Sequence, residues 1–300
     1  MKRVIVTGAT GFVGHQSFGA LIERGYDVIA VTSRERPEPV SGVQWIQTDL
    51  LNPAEVTSLL AQFQPSHLLH FAWYAEPGKF WTAQENFRWV QASLHLLEKF
   101  SLCGGRRIVT AGTCAEYDWN YGYCVENQTP LAPATAYGTC KNALQAMQSA
   151  YGKQAGLSQA WGRIFLLYGP REHPNRLVSS VIRSLLRGDP ARCTHGNQIR
   201  DLMHVLDAAE AFVALLDSEI EGPVNIASGK PAALKEAIYK IADRLNRPEL
   251  IELGAIPAPP GDPPLLAADT RRLSGEMGWK PRYDLASGLE ETIHWWQGHQ

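Results

Sequence analysis

Short runs of consecutive apolar residues alternate with longer amphipathic stretches over the first 170 residues of the chain. The runs contain much valine, isoleucine and leucine and show little strict alternation of apolar and polar positions. This pattern is typical of strands in a sheet that helices cover on both faces. The predicted strands are Arg3–Thr7, Asp27–Thr32, Val43–Gln47, His67–Ala72, Arg107–Ala111 and Gln159–Leu167.

The amphipathic stretches between these strands predict helices. They cover Phe12–Arg24, Pro53–Phe63, Thr82–Phe100 and Tyr137–Gln154. An alternation of strand and helix requires crossover connections, which are right-handed and make the strands parallel. The first part of the chain is therefore predicted to be an α/β domain with a doubly wound parallel sheet.

The pattern becomes less regular after residue 170. It predicts helices at Arg176–Arg187, Asp207–Leu216, Leu234–Leu245 and Leu285–Trp296, with a short strand at Val224–Ala227. We expect a first domain of residues 1–170 and a smaller mixed C-terminal lobe of residues 171–300, with some later segments returning to the first domain. No stretch resembles a flexible linker, so the two parts are expected to pack as one unit.

Composition narrows the class of protein. The 300 residues are 45% hydrophobic, and 28 basic against 30 acidic residues give a net charge of −2. This balance gives no electrostatic reason to expect nucleic acid or an anionic membrane as a partner. There is no run of eighteen apolar residues to span a membrane, and the apolar run at Val4–Val6 is too short for a signal peptide. The five cysteines and nine histidines lack metal-type spacing, so we predict no metal and a cytoplasmic protein with reduced thiols.

A glycine-rich turn follows the first strand directly and opens the first helix. Its sequence is Gly8-Ala9-Thr10-Gly11-Phe12-Val13-Gly14. Glycines at such a turn permit a tight reversal, a close approach of the backbone to a pyrophosphate, and close packing of helix on strand. The helix N-terminus then offers free N–H groups to the phosphates. We predict that this turn binds a dinucleotide through Gly8, Thr10, Gly11, Phe12, Val13 and Gly14.

The end of the second strand bears on which dinucleotide is bound. An acidic residue here would bind both hydroxyls of an NAD ribose, whereas this chain has Thr32-Ser33-Arg34, with Arg36 nearby. A hydroxyl and a guanidinium suit a 2′-phosphate, because arginine presents a fixed fork of donors. The sequence therefore favours NADP(H) bound by Ser33 and Arg34, and leaves NAD(H) open.

A third group of residues carries acid–base chemistry. Tyr137 and Lys141 are four residues apart on a predicted helix and so share one face. An ammonium near a phenol stabilises the phenolate and lowers its pKa from about 10. Thr113 ends the preceding strand. These three residues place a hydroxyl, a phenol and an ammonium above a dinucleotide cleft. We predict that they transfer a proton in carbonyl reduction or alcohol oxidation.

At this point the chain resembles the extended short-chain dehydrogenase/reductase family, in its branch of NAD-dependent epimerases and dehydratases. The resemblance spans nearly the whole chain and keeps the order and spacing of the motifs. The matching residues are Thr7–Gly14, Thr48-Asp49-Leu50, His70-Phe71-Ala72, Asn86, Thr113, Tyr117, Tyr137, Lys141, Arg163-Ile164-Phe165, Tyr168-Gly169-Pro170, Arg200–Val205, Val224–Ala227, Gly278–Pro281 and Gly288-Leu289.

The resemblance implies a Rossmann-type sheet, a C-terminal lobe that binds the substrate, and a role for each catalytic residue. Tyr137 is expected to be the general acid/base, and Lys141 to lower its pKa and hold the nicotinamide ribose. Thr113 is expected to polarise the substrate carbonyl.

The resemblance also implies further contacts. Asp49 and Leu50 are expected at the adenine, Phe71 and Ala72 along the cofactor, and Phe165 near the nicotinamide. Asn86, Arg176 and Arg200 are expected to bind a nucleotide-sugar substrate, with Arg200 on its diphosphate. In this family the helix predicted at Thr82–Phe100 commonly pairs with the Tyr137 helix in a homodimer.

The chain departs from the family pattern at positions that decide the reaction. The 4,6-dehydratases place Asp-Glu directly after the catalytic threonine, whereas Cys114-Ala115 stands here. Glu116 is one residue farther on, and its side chain is expected to point elsewhere. Dehydration is therefore disfavoured. The family often has an asparagine near Leu166 that contacts the sugar nucleotide, and an arginine before Gly261-Asp262. The asparagine is absent here and prolines replace the arginine, so the nucleotide pocket is not expected to be inherited intact.

Three functions remain open. The first is NADPH-dependent reduction of the 4-keto group of a nucleotide-linked 4-keto-6-deoxyhexose in deoxysugar biosynthesis. The second is a nucleotide-sugar 4-epimerase that retains NAD(P), which would use the same catalytic residues. The third is a regulatory protein that binds NADP without chemistry; an intact Thr113, Tyr137 and Lys141 argues against it.

Overall fold

The computed structural model describes residues 2–34 and 38–299. The described strands are β1 (Lys2–Thr7), β2 (Tyr26–Thr32), β3 (Val43–Gln47), β4 (His67–His70), β5 (Arg107–Thr113), β6 (Tyr123–Cys124), β7 (Ser158–Ile164), β8 (Leu166–Tyr168), β9 (Ala191–Cys193), β10 (Ile199–Arg200), β11 (Leu202–His204), β12 (Gly222–Ile226), β13 (Ala232–Ala233), β14 (Ile251–Leu253) and β15 (Leu265–Ala268).

The described helices are α1 (Phe18–Glu23), α2 (Pro53–Phe63), α3 (Glu85–Leu102), α4 (Ala136–Ala155), α5 (Leu177–Arg187), α6 (Val205–Asp217), α7 (Leu234–Leu245) and α8 (Leu285–Gln297). None of these described helices is long and apolar enough to cross a membrane.

Seven parallel strands form the main sheet in the order β3–β2–β1–β4–β5–β7–β12. The strand order reverses between β1 and β4, so the carboxyl ends of these strands border the crevice in which doubly wound folds bind ligands. The predicted Rossmann-type parallel sheet is confirmed.

Both faces of this sheet are buried, which explains the continuous apolar runs. On β1, Val4 and Val6 point toward α1 and α6, while Ile5 points to the opposite face, toward α2 and α3. Phe212 of α6 is buried in the first cluster, and Leu60 of α2 in the second. A strand buried on both sides has no polar face to alternate with its apolar one.

The later part of the chain forms a smaller lobe. Helices α5, α7 and α8 bury a separate apolar cluster, to which Ile182, Ile238 and Ile293 contribute. Three small sheets accompany them, in the orders β13–β10–β15–β6, β11–β8 and β14–β9. Two elements from this part, β12 and α6, pack into the first domain. The boundary at residue 170 stays a prediction.

The predicted strand Gln159–Leu167 is wrong as a single element, because the chain breaks at Phe165. Strand β7 stays in the main sheet, while β8 pairs with β11. The amide of Phe165 donates instead to the carbonyl of Ile226, at 3.2 Å. The break lets the chain leave the main sheet and enter the smaller lobe.

The predicted helix Phe12–Arg24 begins later than expected. A 3₁₀ turn at His15–Ser17 precedes α1. The residues before it are held in the glycine turn, where the amide of Gly11 donates to the carbonyl of Gly8 at 2.9 Å.

Candidate active site

The predicted cofactor and catalytic residues follow the carboxyl ends of neighbouring parallel strands. Gly8 follows β1, Ser33 follows β2, Asp49 follows β3, Ala72 follows β4, and Thr113 ends β5. Because parallel strands end at the same edge of a sheet, the fold brings these residues to one edge.

The glycine turn is packed so tightly that two of its positions exclude any side chain. Gly8 has φ +64°, and a Cβ there would lie 2.7 Å from the amide nitrogen of Ala72. A Cβ on Gly14 would lie 2.3 Å from the carbonyl oxygen of Gly8. Within the described residues, the N–H groups of Phe12 and Val13 donate to no protein acceptor. Free donors on a closely approachable backbone fit the pyrophosphate of a dinucleotide.

The residues after β2 leave a hydroxyl and a guanidinium in solvent. Thr32 is buried, and its Oγ1 accepts a hydrogen bond from the amide of Arg34 at 3.1 Å. Ser33 and Arg34 are exposed. The predicted neighbour Arg36 lies outside the described residues. The loop therefore presents the two side chains on which the NADP(H) prediction depends.

The loop after β3 is fixed by its own polar groups. Asp49 is exposed, its Oδ1 accepts from the amide of Leu51 at 2.9 Å, and its amide donates to Glu55 Oε2 at 2.8 Å. Leu50 beside it is buried. This arrangement places a carboxylate and an apolar side chain where the adenine contact was predicted.

The residues after β4 and β7 place apolar side chains at the carboxyl edge of the main sheet. Ala72 is buried, and its amide donates to Thr7 Oγ1 at 3.2 Å. Phe71 packs edge-on against Phe212, and Phe165 is buried beside Tyr117. Their contact with a cofactor stays a prediction.

Thr113 is held through the acceptor side of its hydroxyl oxygen, which leaves the hydroxyl hydrogen able to donate. Its Oγ1 accepts a hydrogen bond from the amide of Ala115 at 3.2 Å, which opens a 3₁₀ turn over Cys114–Glu116. Because this bond uses an acceptor lone pair, the hydroxyl keeps its proton for donation to a substrate oxygen.

Tyr137 lies in the first turn of α4, against this same 3₁₀ turn. A Cβ on the next residue, Gly138, would lie 2.3 Å from the carbonyl oxygen of Ala115, so glycine allows the helix to approach backbone to backbone. The amide of Tyr137 donates to the carbonyl of Trp81 at 3.1 Å, and the rings of Phe80 and Trp81 stand edge-on to the phenol.

The protonation of Tyr137 differs from the expectation. Burial raises the pKa of the phenol, and the Thr113 hydroxyl and the Arg176 charge offset only part of this rise. The predicted depression of the Tyr137 pKa is therefore wrong for this structure, because desolvation disfavours the phenolate more than its neighbours stabilise it.

Lys141 lies one helical turn after Tyr137 and is buried. Its Nζ donates to the carbonyl of Ala111 at 2.8 Å and lies 3.9 Å from the centroid of the Trp73 ring. Burial lowers the pKa of Lys141 to about 7, although the negative charge of Glu116 opposes this shift. Near neutral pH, Lys141 is therefore present in similar amounts as the charged ammonium and as the neutral amine.

This balance predicts a pH-dependent stability. The pKa of Lys141 is about 7 in the folded protein and 10.5 for an unperturbed lysine. Between these two pH values the unfolded chain therefore binds more protons than the folded protein. The stability of the wild type relative to Lys141→Met is therefore expected to rise by about 3 kcal/mol from pH 7 to pH 10. Urea unfolding at both pH values measures this difference; a difference independent of pH would exclude a buried lysine with a lowered pKa.

The three predicted substrate residues have different surroundings. Asn86 is buried, and its amide is used within the protein: Oδ1 accepts from Trp73 Nε1 at 2.8 Å, while Nδ2 donates to the carbonyls of Phe80 and Ala83. Asn86 thus holds the loop that carries Phe80 and Trp81 against Tyr137, and the geometry gives no support for a direct substrate contact by its side chain.

The two predicted substrate arginines differ in exposure. Arg176 is exposed at the start of α5, its guanidinium lies 5.9 Å from the ring of Phe80, and its charge lowers the pKa of Tyr137. Arg200 is buried in β10 and forms an ion pair with Asp262 at 2.5 Å. Arg176 therefore lies beside the catalytic group, whereas Arg200 is held by a carboxylate of the smaller lobe.

Sequence reasoning missed the surroundings of Glu116 and Trp73. Glu116 is fully buried directly behind Thr113, where Arg163 binds it, so its carboxylate faces away from the cleft as expected from its offset position. The spacing Thr113-x-x-Glu116 is a capping-box pattern and was the available signal. Trp73 contacts the ammonium of Lys141, and no motif marked that position.

Comparisons with known proteins agree with this geometry. Residues 4–227 match the sequence model of the NAD dependent epimerase/dehydratase family. The UDP-glucose 4-epimerase of Thermus thermophilus, solved with NAD, shares 26% identity and superimposes with a TM-score of 0.88 over 99% of this chain and 100% of that one. MoeE5, solved with UDP-glucuronic acid and NAD, shares 29% identity with a TM-score of 0.85 over 99% and 100% of the two chains.

A dTDP-glucose 4,6-dehydratase of Xanthomonas campestris pv. campestris (strain ATCC 33913) shares 26% identity over 100% of this chain and 94% of its own length. Epimerisation and dehydration are thus both represented among similar proteins. The family match covers most of the chain and includes the glycine turn, Thr113, Tyr137 and Lys141. The chain belongs to the NAD-dependent epimerase/dehydratase family and is an enzyme of the oxidoreductase type.

Proposed function

We propose that this enzyme is a nucleotide-sugar 4-epimerase that keeps its nicotinamide cofactor through the reaction. The observation that carries the proposal is the packing of Tyr137 and Thr113 together, through Gly138 and Ala115, at the same sheet edge as the glycine turn. A hydroxyl donor and a phenol at one point can serve both the removal and the return of a proton at the sugar C4 oxygen.

A nicotinamide dinucleotide held by the glycine turn would supply the hydride chemistry at the sugar C4, first as acceptor and then as donor, so that no cofactor is used up. Tyr137 as the phenolate would take the proton of the C4 hydroxyl, and as the phenol would return it. Because burial raises the pKa of Tyr137, this role requires the bound substrate and cofactor to stabilise the phenolate. The free O–H of Thr113 donates to the C4 oxygen while that oxygen is a carbonyl or carries partial negative charge. Lys141 lies one helical turn after Tyr137 and in its ammonium form would supply a positive charge to this end of α4.

The residues beside Thr113 favour epimerisation over dehydration. Elimination of water needs a second acid–base pair, whereas Cys114 and Ala115 occupy the next two positions and are both buried. Burial raises the pKa of the Cys114 thiol to about 12, so the thiol stays protonated at neutral pH. The carboxylate that follows these two residues in the sequence, Glu116, is bound to Arg163.

The predicted 4-ketoreductase uses the same catalytic residues, but similar proteins favour the epimerase. The solved neighbours include 4-epimerases with NAD, such as the Thermus thermophilus enzyme. Arg176 is proposed as a contact for the substrate's diphosphate because it is exposed beside Phe80 and Tyr137. Arg200 is proposed as a second contact, which requires it to exchange or share its partner Asp262.

The experiment is an assay of the purified protein with NAD+, with NADP+ and with NADPH against UDP-glucose, UDP-N-acetylglucosamine, UDP-glucuronic acid and a dTDP-4-keto-6-deoxyhexose. Proton NMR follows the configuration at C4, and absorbance at 340 nm follows net use of the cofactor. We expect at least one sugar to be converted to its C4 epimer without net cofactor use. Stoichiometric NADPH oxidation on the keto sugar alone would establish the ketoreductase, and release of CO2 or water would establish the other family reactions.

We propose that the cofactor site accepts NADP+ at least as well as NAD+. Arg34 is exposed at the end of β2, where it can bind a 2′-phosphate. Arg34→Ala is expected to weaken NADP+ binding about tenfold and NAD+ binding less than twofold. Isothermal titration measures both, with the exposed Arg187→Ala as the control. An equal effect on the two cofactors would remove Arg34 from the site.

We propose a homodimer formed through α3 and α4. Three large apolar side chains on these helices are exposed: Phe87 is 55% exposed, Leu102 70% and Met147 38%. Burial of these side chains in a symmetric interface would remove apolar surface from water.

A further inference from the structure

The side chain of Glu116 is saturated by hydrogen bonds from three sides. Its Oε1 accepts from the amide of Thr113 at 2.9 Å, and Trp161 Nε1 donates to both carboxylate oxygens, at 2.9 and 3.1 Å. Arg163 Nε donates to Oε2 at 2.6 Å. Neither Glu116 nor Arg163 is appreciably exposed, with side chains 0% and 2% accessible.

The bond to Thr113 closes a reciprocal pair. The Thr113 hydroxyl oxygen accepts from the amide of Ala115, while the Thr113 amide donates to Glu116. This capping box fixes both the backbone and the side-chain rotamer of Thr113. Without Glu116, one half of the box is lost and the amide of Thr113 has no acceptor.

A buried ion pair contributes little to the free energy of unfolding, because the desolvation of two charges offsets most of their attraction. A pair of apolar residues would fill the same space at a similar or lower cost. Stability therefore does not explain why a carboxylate is buried at position 116. The hydrogen bond from the amide of Thr113, the residue with the reactive hydroxyl, suggests a role in the reaction.

Resting on the proposed epimerase function, we infer that Glu116, anchored by Arg163 and Trp161, is a positioning residue that holds the Thr113 hydroxyl in the orientation required for donation to the substrate oxygen. It does not touch the substrate itself. A secondary effect is electrostatic, since Glu116 is the carboxylate whose charge opposes the deprotonation of Lys141. The ammonium also acts on His70 of β4, whose pKa is lowered first by burial and then by the charge of Lys141.

The test compares two double variants that both remove the ion pair. Glu116→Gln with Arg163→Met keeps an acceptor for the Thr113 amide, and Glu116→Met with Arg163→Met does not. Both remove the charges of Glu116 and Arg163 together, so neither residue is left buried with an unpaired charge, and both variants are expected to fold. Glutamine alone at 116 is less informative, because its single amide oxygen cannot serve Thr113 and Arg163 together.

We expect kcat of the methionine–methionine variant to be about ten- to a hundredfold lower than that of the glutamine–methionine variant, with KM within about twofold. Glu126→Gln is the control, because Glu126 is also buried and accepts one backbone amide, that of Asn225 at 2.7 Å, without contact to Thr113. This control is expected to keep wild-type kcat.

A second readout needs no catalysis. NMR of ¹³C-methyl-labelled threonine gives the rotamer of Thr113 from three-bond couplings, assigned with Thr113→Val. We expect one rotamer in the wild type and the glutamine–methionine variant, and averaging between rotamers in the methionine–methionine variant. If no sugar is converted by the wild type, the epimerase proposal fails while this comparison still decides the role of Glu116. One fixed rotamer in both double variants, or equal kcat in both, would overturn the inference.

Discussion

Replacing Tyr137 by phenylalanine is expected to lower the rate of C4 epimerisation about 10³-fold and to leave dinucleotide affinity nearly unchanged. The phenol is the proton-transfer group of the proposed reaction, and loss of a positioned general acid or base costs about 10²–10⁴ in rate. The ring itself keeps its edge-on contacts with Phe80 and Trp81, so the fold around it is preserved. Steady-state kinetics and cofactor titration measure the two effects separately.

The matched control is Tyr239→Phe, which removes an exposed hydroxyl from α7, away from the catalytic residues. Its activity should equal that of the wild type. If Tyr137→Phe retained a tenth or more of the wild-type rate, the proton would have to travel through another group. Thr113 would then be the first candidate, because its hydroxyl is one of the neighbours that lower the pKa of the phenol against the larger effect of burial.

Gly14→Ala is expected to weaken dinucleotide binding more than tenfold and to destabilise the protein by about 1–3 kcal/mol. The added methyl group would lie 2.3 Å from the carbonyl oxygen of Gly8, so the backbone of the turn must move. A shifted turn no longer presents the amides of Phe12 and Val13 in the geometry that a pyrophosphate needs. Titration with the cofactor and thermal unfolding measure the two effects.

Gly19→Ala is the control for this substitution. Gly19 lies only five residues later, within α1, and an added Cβ would have no neighbour within 4 Å. Alanine favours a helix over glycine, so this variant should be unchanged or more stable by about 0.5–1 kcal/mol. Equal cofactor affinity in both variants would show that the turn tolerates a side chain and does not hold the phosphates.

The parts of the fold that were predictable from sequence are those with local causes. The glycine turn, the Tyr137–Lys141 spacing and the apolar strands each depend on residues within one or two turns or along one strand. Their positions at the crevice follow from the parallel topology. For this reason the predictions of a doubly wound sheet and of the family were both correct.

The parts that escaped prediction depend on contacts distant in sequence. Glu116 is bound by Trp161 and Arg163, which are 45 and 47 residues away. The break in the strand at Phe165 depends on a carbonyl of β12. The raised pKa of Tyr137 depends on how completely the chain folds around it, and no spacing along the sequence reveals burial.

The choice of reaction could not be predicted from the catalytic residues, because reductase and epimerase share them. Similar proteins shifted the preference toward the epimerase that the sequence had left as the alternative. The discriminating residues are those that orient the sugar, and these lie on loops without motifs.

Strand β12, the last strand of the main sheet, has a consequence for chimaeras that join this chain to the chain of a relative. A recombinant join at residue 170 would replace β12, the partner of β7, by a strand of the other parent, and a poor fit would leave β7 as an edge open to aggregation. Arg107, buried in β5, would also depend on the other parent's backbone to replace the carbonyls of Leu215 and Ile220, which its guanidinium binds at 2.7 Å. A chimaera that transplants the cofactor half of this enzyme must therefore carry its own chain to the end of β12 at least.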